Sequence, residues 1–327
     1  MVTIMKNNKK NTDPDQKHLD KIQDIKFTPI FIMGVQRSGT SILYKLLSKT
    51  SSFNIVTAYH VIKNHELLHN YLGKNEKKIK QELDDFFKNK SQIDRGIDRL
   101  KITSDFPEEY GFILAEKTGK SKLTNKSLNT FNEFCKKIQY ISANNKPILL
   151  KNPFDFSNFI FIKQKIPNAR FIFIHRTPIK TLNSQIKAMR TLLKNKSEYM
   201  AMLSDAYSKV FDNKLLLNYY RFIQSSFLPI RSNQAINNLA DRTQYFIENI
   251  ESIDKEDYVS IRYEDLCEKP NMEIEKIMDF LKLKPETKTD LKELIQPRNI
   301  TILKELKGKE EIIKEKMREY MKLWGYL

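Results

Sequence analysis

Cysteine is nearly missing from the 327-residue chain: Cys135 and Cys267 are its only two, too few for a disulfide framework, and a cytoplasmic, reducing setting is expected. Metal-binding spacings are missing too. Neither CxxC nor HExxH occurs, so no metal is expected at the site. No stretch reaches the roughly 20 uncharged apolar residues of a membrane span. The best candidate, "LLLNYYRFIQSSFLPI" at 215–230, is interrupted by Arg221. The first 18 residues, "MVTIMKNNKKNTDPDQKH", lack an apolar leader, and residues 1–27 are expected to form a disordered tail. What is present, 40% hydrophobic and 11% aromatic residues, suffices for one large core, expected over 28–327 as a single domain.

The formal net charge is +17. Lysines supply most of it, scattered among Asn and Ile as in "KNEKKIKQELDDFFKNK", which suits solvated helix faces rather than a nucleic-acid stripe, so no specific nucleic-acid partner is expected. Arginine is the scarce cation, and an arginine inside a motif therefore carries more information.

Short apolar runs punctuate the chain. "PIFIMGV" (29–35), "KPILLKN" (146–152), "ARFIFIHR" (169–176) and "DYVSIRYEDL" (257–266) read as buried strands. Helical spacing follows them in "TSILYKLLSKT" (40–50), "FSNFIFIKQKI" (156–166) and "NMEIEKIMDFLKL" (271–283). Strand alternating with helix predicts an α/β fold, a three-layer parallel sheet covered on both faces, with ligands beyond the carboxyl ends of its strands. Lysine-rich helical insertions are expected at about 61–140 and 185–250, building an acceptor pocket. No internal repeat is evident.

"FIMGVQRSGTS" (31–41) joins the first strand to the first helix. Gly34 and Gly39 keep the spacing of a nucleotide-triphosphate loop, but Thr40 stands where its lysine belongs and Arg37 is the only nearby cation. Backbone N–H groups and the helix dipole favour a phosphate at such a junction. In "HRTPIKTLNSQI" (175–186), Arg176 ends a strand and Ser184 lies about two helical turns on. A guanidinium and a hydroxyl so placed can bracket a second phosphate.

Taken in order, "GVQRSGTS", "LLKNP", "RFIFIHRTPIKTLNS" and "IRYEDLCEKP" followed by "FLKL" resemble the sulfotransferases that use 3'-phosphoadenosine 5'-phosphosulfate. The similarity is to the branch with an R-S-G-T loop, which includes bacterial enzymes and the tyrosylprotein sulfotransferases, and it spans roughly 28–285. The resemblance implies a P-loop-like phosphate-binding loop that grips the 5'-phosphosulfate through the amides of Arg37, Ser38, Gly39, Thr40 and Ser41 and the side chains of Arg37, Thr40 and Ser41. Arg37 would stabilise the leaving group. Arg176 and Ser184 would hold the 3'-phosphate, and Lys151 would approach the 5' side or serve the acceptor pocket. Tyr263 would fold over the nucleotide, largely as structure. The implied product is 3',5'-adenosine bisphosphate, formed without a metal, and the acceptor is a hydroxyl or amine on a small molecule, glycan or lipid-linked compound. Residues 297–327 would close over the nucleotide or cap the fold, with Arg298 a further candidate ligand.

Transfer to a hydroxyl or amine calls for a general base. Tyrosylprotein sulfotransferases carry a glutamate about twenty residues after the loop; this chain offers His60 there, with a side chain suited to neutral pH. Glu66, His65, Glu108 and Glu109 are the alternatives. His18 and His69 read as solvated, His175 as strand-end packing, and Glu264 with Asp265 as capping and ion pairing. Two other readings compete. A P-loop small-molecule kinase would want a lysine after Gly39 and an acidic metal ligand ending a strand, and a catalytically inactive relative would bind the nucleotide without turnover.

Overall fold

A computed structural model describes residues 13–90, 97, 101–225, 229–287, 290–295 and 300–327, with residues 229 and 230 by their backbone alone. Five strands, β1 (Pro29–Met33), β2 (Asn54–Ile55), β3 (Ile148–Lys151), β4 (Arg170–His175) and β5 (Tyr258–Arg262), form one parallel sheet in the order β2-β3-β1-β4-β5. Every residue of β1 and β3 is buried, Lys151 included, as in a parallel sheet covered by helices on both faces. Alternate residues serve opposite cores. Phe31 packs with Tyr110, Phe131 and Phe171 on one side, while Ile30 and Ile32 on the other join Leu43, Leu46 and Leu47 of helix α1 (Thr40–Ser48).

The four expected strands form within their expected bounds, and the α/β class with a helix-flanked parallel sheet holds. β2 was not anticipated. It is a two-residue edge strand in "FNIVTAYH", too short to show a period. Residues 13–27, expected within a disordered tail, fold: Gln16–Ile22 is a 3-10 helix, Ile22 is buried, and buried Asp15 lies 3.1 Å from the Lys137 ammonium. That pairing holds the segment against the helix Leu128–Ser142. Residues 1–12 and Arg298 lie outside the described residues.

Much of the two insertions is helical, including Glu76–Asn89, Leu128–Ser142, Lys214–Ile223 and Pro229–Asn249. In Lys214–Ile223, Leu217 is buried while Leu215, Tyr219 and Phe222 are exposed, so core packing does not account for that apolar run. Among the described residues no helix is long and apolar enough to cross a membrane.

Topology sets where a ligand can enter. β1 and β4 are neighbours, but the chain leaves β1 for β2 at one edge and β4 for β5 at the other. The loops after β1 and β4 therefore diverge and leave a crevice above their carboxyl ends.

Candidate active site

The loop after β1 is held in a conformation few sequences tolerate. A Cβ on Gly34 would come within 2.5 Å of Ser38 Oγ and 2.8 Å of Ile174. Gly39 has φ +112°, and a Cβ there would sit 2.2 Å from the Tyr263 ring, so side chain and backbone both demand glycine. Arg37, between them, is left-handed at φ 70°, a conformation non-glycine residues keep mainly where surrounding structure enforces it. The Ser38 amide closes the turn onto the Val35 carbonyl at 3.1 Å, and Thr40 opens α1. Ser38 is fully buried, and its Oγ has no partner among the described residues.

The β4 side of the crevice meets this loop directly. Arg176 Nη1 donates to the Arg37 carbonyl at 2.8 Å, and Arg37 Nε donates to Ser184 Oγ at 3.1 Å. Arg37 Nη2 donates to the Ile97 carbonyl at 2.9 Å, so its guanidinium is turned to the helix Pro178–Lys194 and the segment at Ile97. Arg176 also stacks on Tyr263, 4.3 Å from the ring centroid, while its buried Nε has no partner among the described residues. Glu264 ties the assembly together. It accepts from the Thr177 hydroxyl at 2.6 Å and amide at 3.3 Å, at the start of Pro178–Lys194, and from the Tyr326 hydroxyl at 2.9 Å. It thus braces the start of a helix 87 residues away in the sequence. His175 packs as expected: it is fully buried, with the Trp324 ring stacked 3.8 Å away. Residues 300–327 lie against β4 and the Ser184 helix, with Leu303 N donating to Asn183 Oδ1 at 2.9 Å.

Lys151 completes the far side. It is opposite Ile32 in the β1–β3 register, and its fully buried ammonium donates to Ser41 Oγ at 3.1 Å, pairs with Glu109 at 3.1 Å and lies 5.9 Å from the Tyr44 ring centroid. Glu109 arrives because Phe106–Glu108 runs antiparallel to the end of β2: the Ala58 amide donates to Phe106 O and the Glu108 amide to Val56 O. A carboxylate, an ammonium and a hydroxyl thus stand in series at the first turn of α1.

The other candidate bases are engaged elsewhere. His60 belongs to a capping box at the start of helix α2 (Ala58–Ile62), where its Nδ1 accepts from the Thr57 amide at 3.2 Å. That bond leaves the imidazole proton on Nε2, with no free lone pair in the ring plane. The near-neutral titration expected of His60 does not hold: burial, assisted by the charge of Lys80, lowers it to about 3. Glu108 is fully buried and accepts from the Tyr199 hydroxyl at 2.5 Å. Glu66 pairs with Lys63 at 2.9 Å, and His65 lies between Asp13 and Glu116, whose hydrogen bonding raises its pKa. His18 and His69, expected to be solvated, stack on each other with centroids 6.3 Å apart. Sequence reasoning missed Gln185, whose amide donates to the Gln36 carbonyl at 2.8 Å; a glutamine on a helix face gives no signal of its own.

Comparison with known proteins points one way. A family profile described as "Sulfotransferase family" matches residues 29–226. Among solved structures, a sulfotransferase from Mycobacterium avium superposes with a TM-score of 0.63 at 15% identity, over 94% of this chain and 80% of that one. A sulfotransferase from Mycobacterium tuberculosis gives a TM-score of 0.53 at 13% identity, over 92% and 79%. At such identities the likeness is one of fold. No curated protein matches the sequence.

Proposed function

The chain belongs to the sulfotransferase family, and from that premise we propose that it transfers a sulfuryl group from 3'-phosphoadenosine 5'-phosphosulfate to a hydroxyl or amine. The observation that carries this reading is the contact between the two halves of the crevice. Arg176, reaching from β4, donates to the carbonyl of Arg37 in the loop after β1, and Arg37 reaches Ser184 across 147 residues of sequence. One nucleotide with an anionic group at each end can therefore touch both halves.

The residues fit such a ligand. Ser38 Oγ on the loop and Arg176 Nε on the β4 side are buried polar atoms without partners among the described residues. Burying a polar atom unsatisfied costs about 1–3 kcal/mol, and an anionic oxygen at either end of the nucleotide would relieve it. The donor supplies a sulfuryl group already activated by its bond to phosphate. Amides from Gly39 to Ser41 and the hydroxyls of Thr40 and Ser41 bind the 5' end at the start of α1. Arg176 and Ser184 bind the 3'-phosphate, with Tyr263 bracing the guanidinium.

Lys151 places its ammonium against Ser41, where it offsets charge that builds on the oxygen between phosphorus and sulfur as the S–O bond breaks. Glu109, 3.1 Å from that ammonium, takes the proton from the acceptor as its oxygen or nitrogen bonds to sulfur. The geometry favours Glu109 over His60 in this role, because the free nitrogen lone pair that a base needs is already filled in His60.

Calorimetric titration with 3',5'-adenosine bisphosphate, 5'-AMP and ATP tests the reading. The bisphosphate should bind most tightly, and Arg176→Ala or Arg37→Ala should weaken it by about 2–3 kcal/mol. Equal affinity for AMP and the bisphosphate would remove the 3'-phosphate site.

A further inference from the structure

Behind the loop lies a second space, lined by polar and apolar side chains together. A cavity of about 190 Å³ opens between the helices Pro178–Lys194 and Pro229–Asn249, lined in part by Gln36, Gln185, Arg190, Arg231, Arg242 and Glu305. A wider recess of about 550 Å³ adjoins it, sharing Arg190 and adding Arg221. Four of the chain's 12 arginines thus face two joined cavities, in a protein whose positive charge is otherwise mostly lysine.

The charges in the inner cavity do not balance. Glu305 is the one carboxylate among its lining residues, and it pairs with Arg190 at 2.5 Å. Arg231 Nη1 donates to the neutral Gln234 amide at 2.5 Å, and Arg242 Nη1 donates to the Pro153 carbonyl at 3.2 Å. Asp155, the acid nearest Arg242 in charge, is already filled by the Tyr110 hydroxyl, the Asn152 and Asn158 amides and the Leu123 N–H. Arg231 also donates from Nη2 and Nε to the Gln224 amide oxygen at 2.8 and 3.0 Å, so two guanidiniums border a half-open space of mixed lining with hydrogen bonds to neutral partners only. A half-buried cation so placed is stabilised by an anion entering the space.

Position says which molecule brings that anion. Gln36 directly precedes Arg37, and Gln185 directly follows Ser184, with the two joined by a hydrogen bond of 2.8 Å. The cavity wall is thus one residue removed from the nucleotide ligands on both sides. The helix Pro229–Asn249 that closes it also packs on Pro153–Asn158, the segment after Lys151. The geometry points to an acceptor that carries an anionic group, a carboxylate, phosphate or sulfate, held by Arg231 and Arg242 while its hydroxyl or amine lies at Lys151 and Glu109. This rests on the sulfuryl-transfer reading and adds the acceptor's charge to it.

Matched pairs of probes test the assignment: 4-nitrophenyl β-D-glucuronide against the glucoside, 4-hydroxyphenylacetate against its amide, and glycerol 3-phosphate against glycerol. Each is titrated calorimetrically into the full chain saturated with 3',5'-adenosine bisphosphate. At least one anionic member should bind about tenfold or more tightly than its neutral partner. The double variant R231Q/R242Q should erase that difference, R231K/R242K should keep part of it, and bisphosphate affinity should stay within about twofold in both. The assignment fails if no pair shows a difference, or if the preference survives in R231Q/R242Q. It fails as well if bisphosphate affinity falls with the preference, since the cavity would then belong to the nucleotide. Should the unvaried protein bind no bisphosphate, the donor reading falls by itself. The same pairs, titrated into the free protein, would still decide whether the cavity prefers anions.

Discussion

Glu109 and His60 lie on the two sides of one short antiparallel pairing, and their chemistry differs because of what each ring or carboxyl oxygen already touches. Glu109 keeps a side chain that is 17% exposed beside Lys151, whereas His60 is locked into a helix cap by Thr57. Glu109→Gln should therefore lower kcat by about 10²–10⁴-fold, the range for loss of a general base. His60→Gln, retaining a group that can accept from Thr57, should change it by less than about tenfold. Turnover of labelled donor with an acceptor from a phenol and sugar panel measures both, with bisphosphate affinity as the control. A larger loss in His60→Gln would reverse the assignment. The sequence made Arg37, Arg176 and Ser184 legible because glycine spacing and a strand end announce them. It could not rank the bases, since that ranking depends on the pairing of Val56 with Glu108, which joins residues 52 apart without any local pattern.

At the scale of elements, the strands were readable in proportion to their length and burial. β1, β3 and β4 are strands of four to six residues built on apolar runs, PIFIM, ILL and FIFI, and such runs have few alternatives to a covered parallel strand. The two residues of β2 carry no such signal, and neither does the 3-10 helix Gln16–Ile22, whose place is fixed by the distant pairing of Asp15 with Lys137. β1 bears the largest packing burden because it is central. Phe31, 1% exposed, meets aromatic rings from both insertion and sheet. Phe31→Ala should destabilise the protein by about 3–5 kcal/mol, read as a lower urea midpoint. A change below about 1 kcal/mol would show that the core collapses into the gap.

For the molecule as a whole, acid sensitivity should come from buried histidines. Burial lowers His175 well below its ordinary value and, with Lys80, lowers His60 to about 3, while both titrate near 6.5 once unfolded. The folded protein thus holds them neutral. Below pH 6.5 the unfolded chain takes up protons that the folded chain refuses, and the stability that both provide above pH 6.5 is lost as pH falls toward 3 for His60. Each histidine should contribute a slope of about 1.4 kcal/mol per pH unit, or about 2 kcal/mol by pH 5. Asp155 works in the opposite sense, since burial raises its pKa and favours the folded state on acidification. Urea midpoints at pH 7 and pH 5 for the protein, His60→Gln and His175→Phe check this. The variants should show shallower slopes, and unchanged slopes would sink the account.

β1 occupies the middle of the sheet, yet its neighbours come from residues 148–151 and 170–173. A ribosome adding about 5–20 residues per second makes roughly 115 more residues before β3 begins, which takes on the order of 6–23 s. For that interval an apolar strand destined for full enclosure has no native edge to join. Newborn chains should accordingly depend on a holding chaperone, and slowing translation between residues 34 and 147 should raise the insoluble fraction.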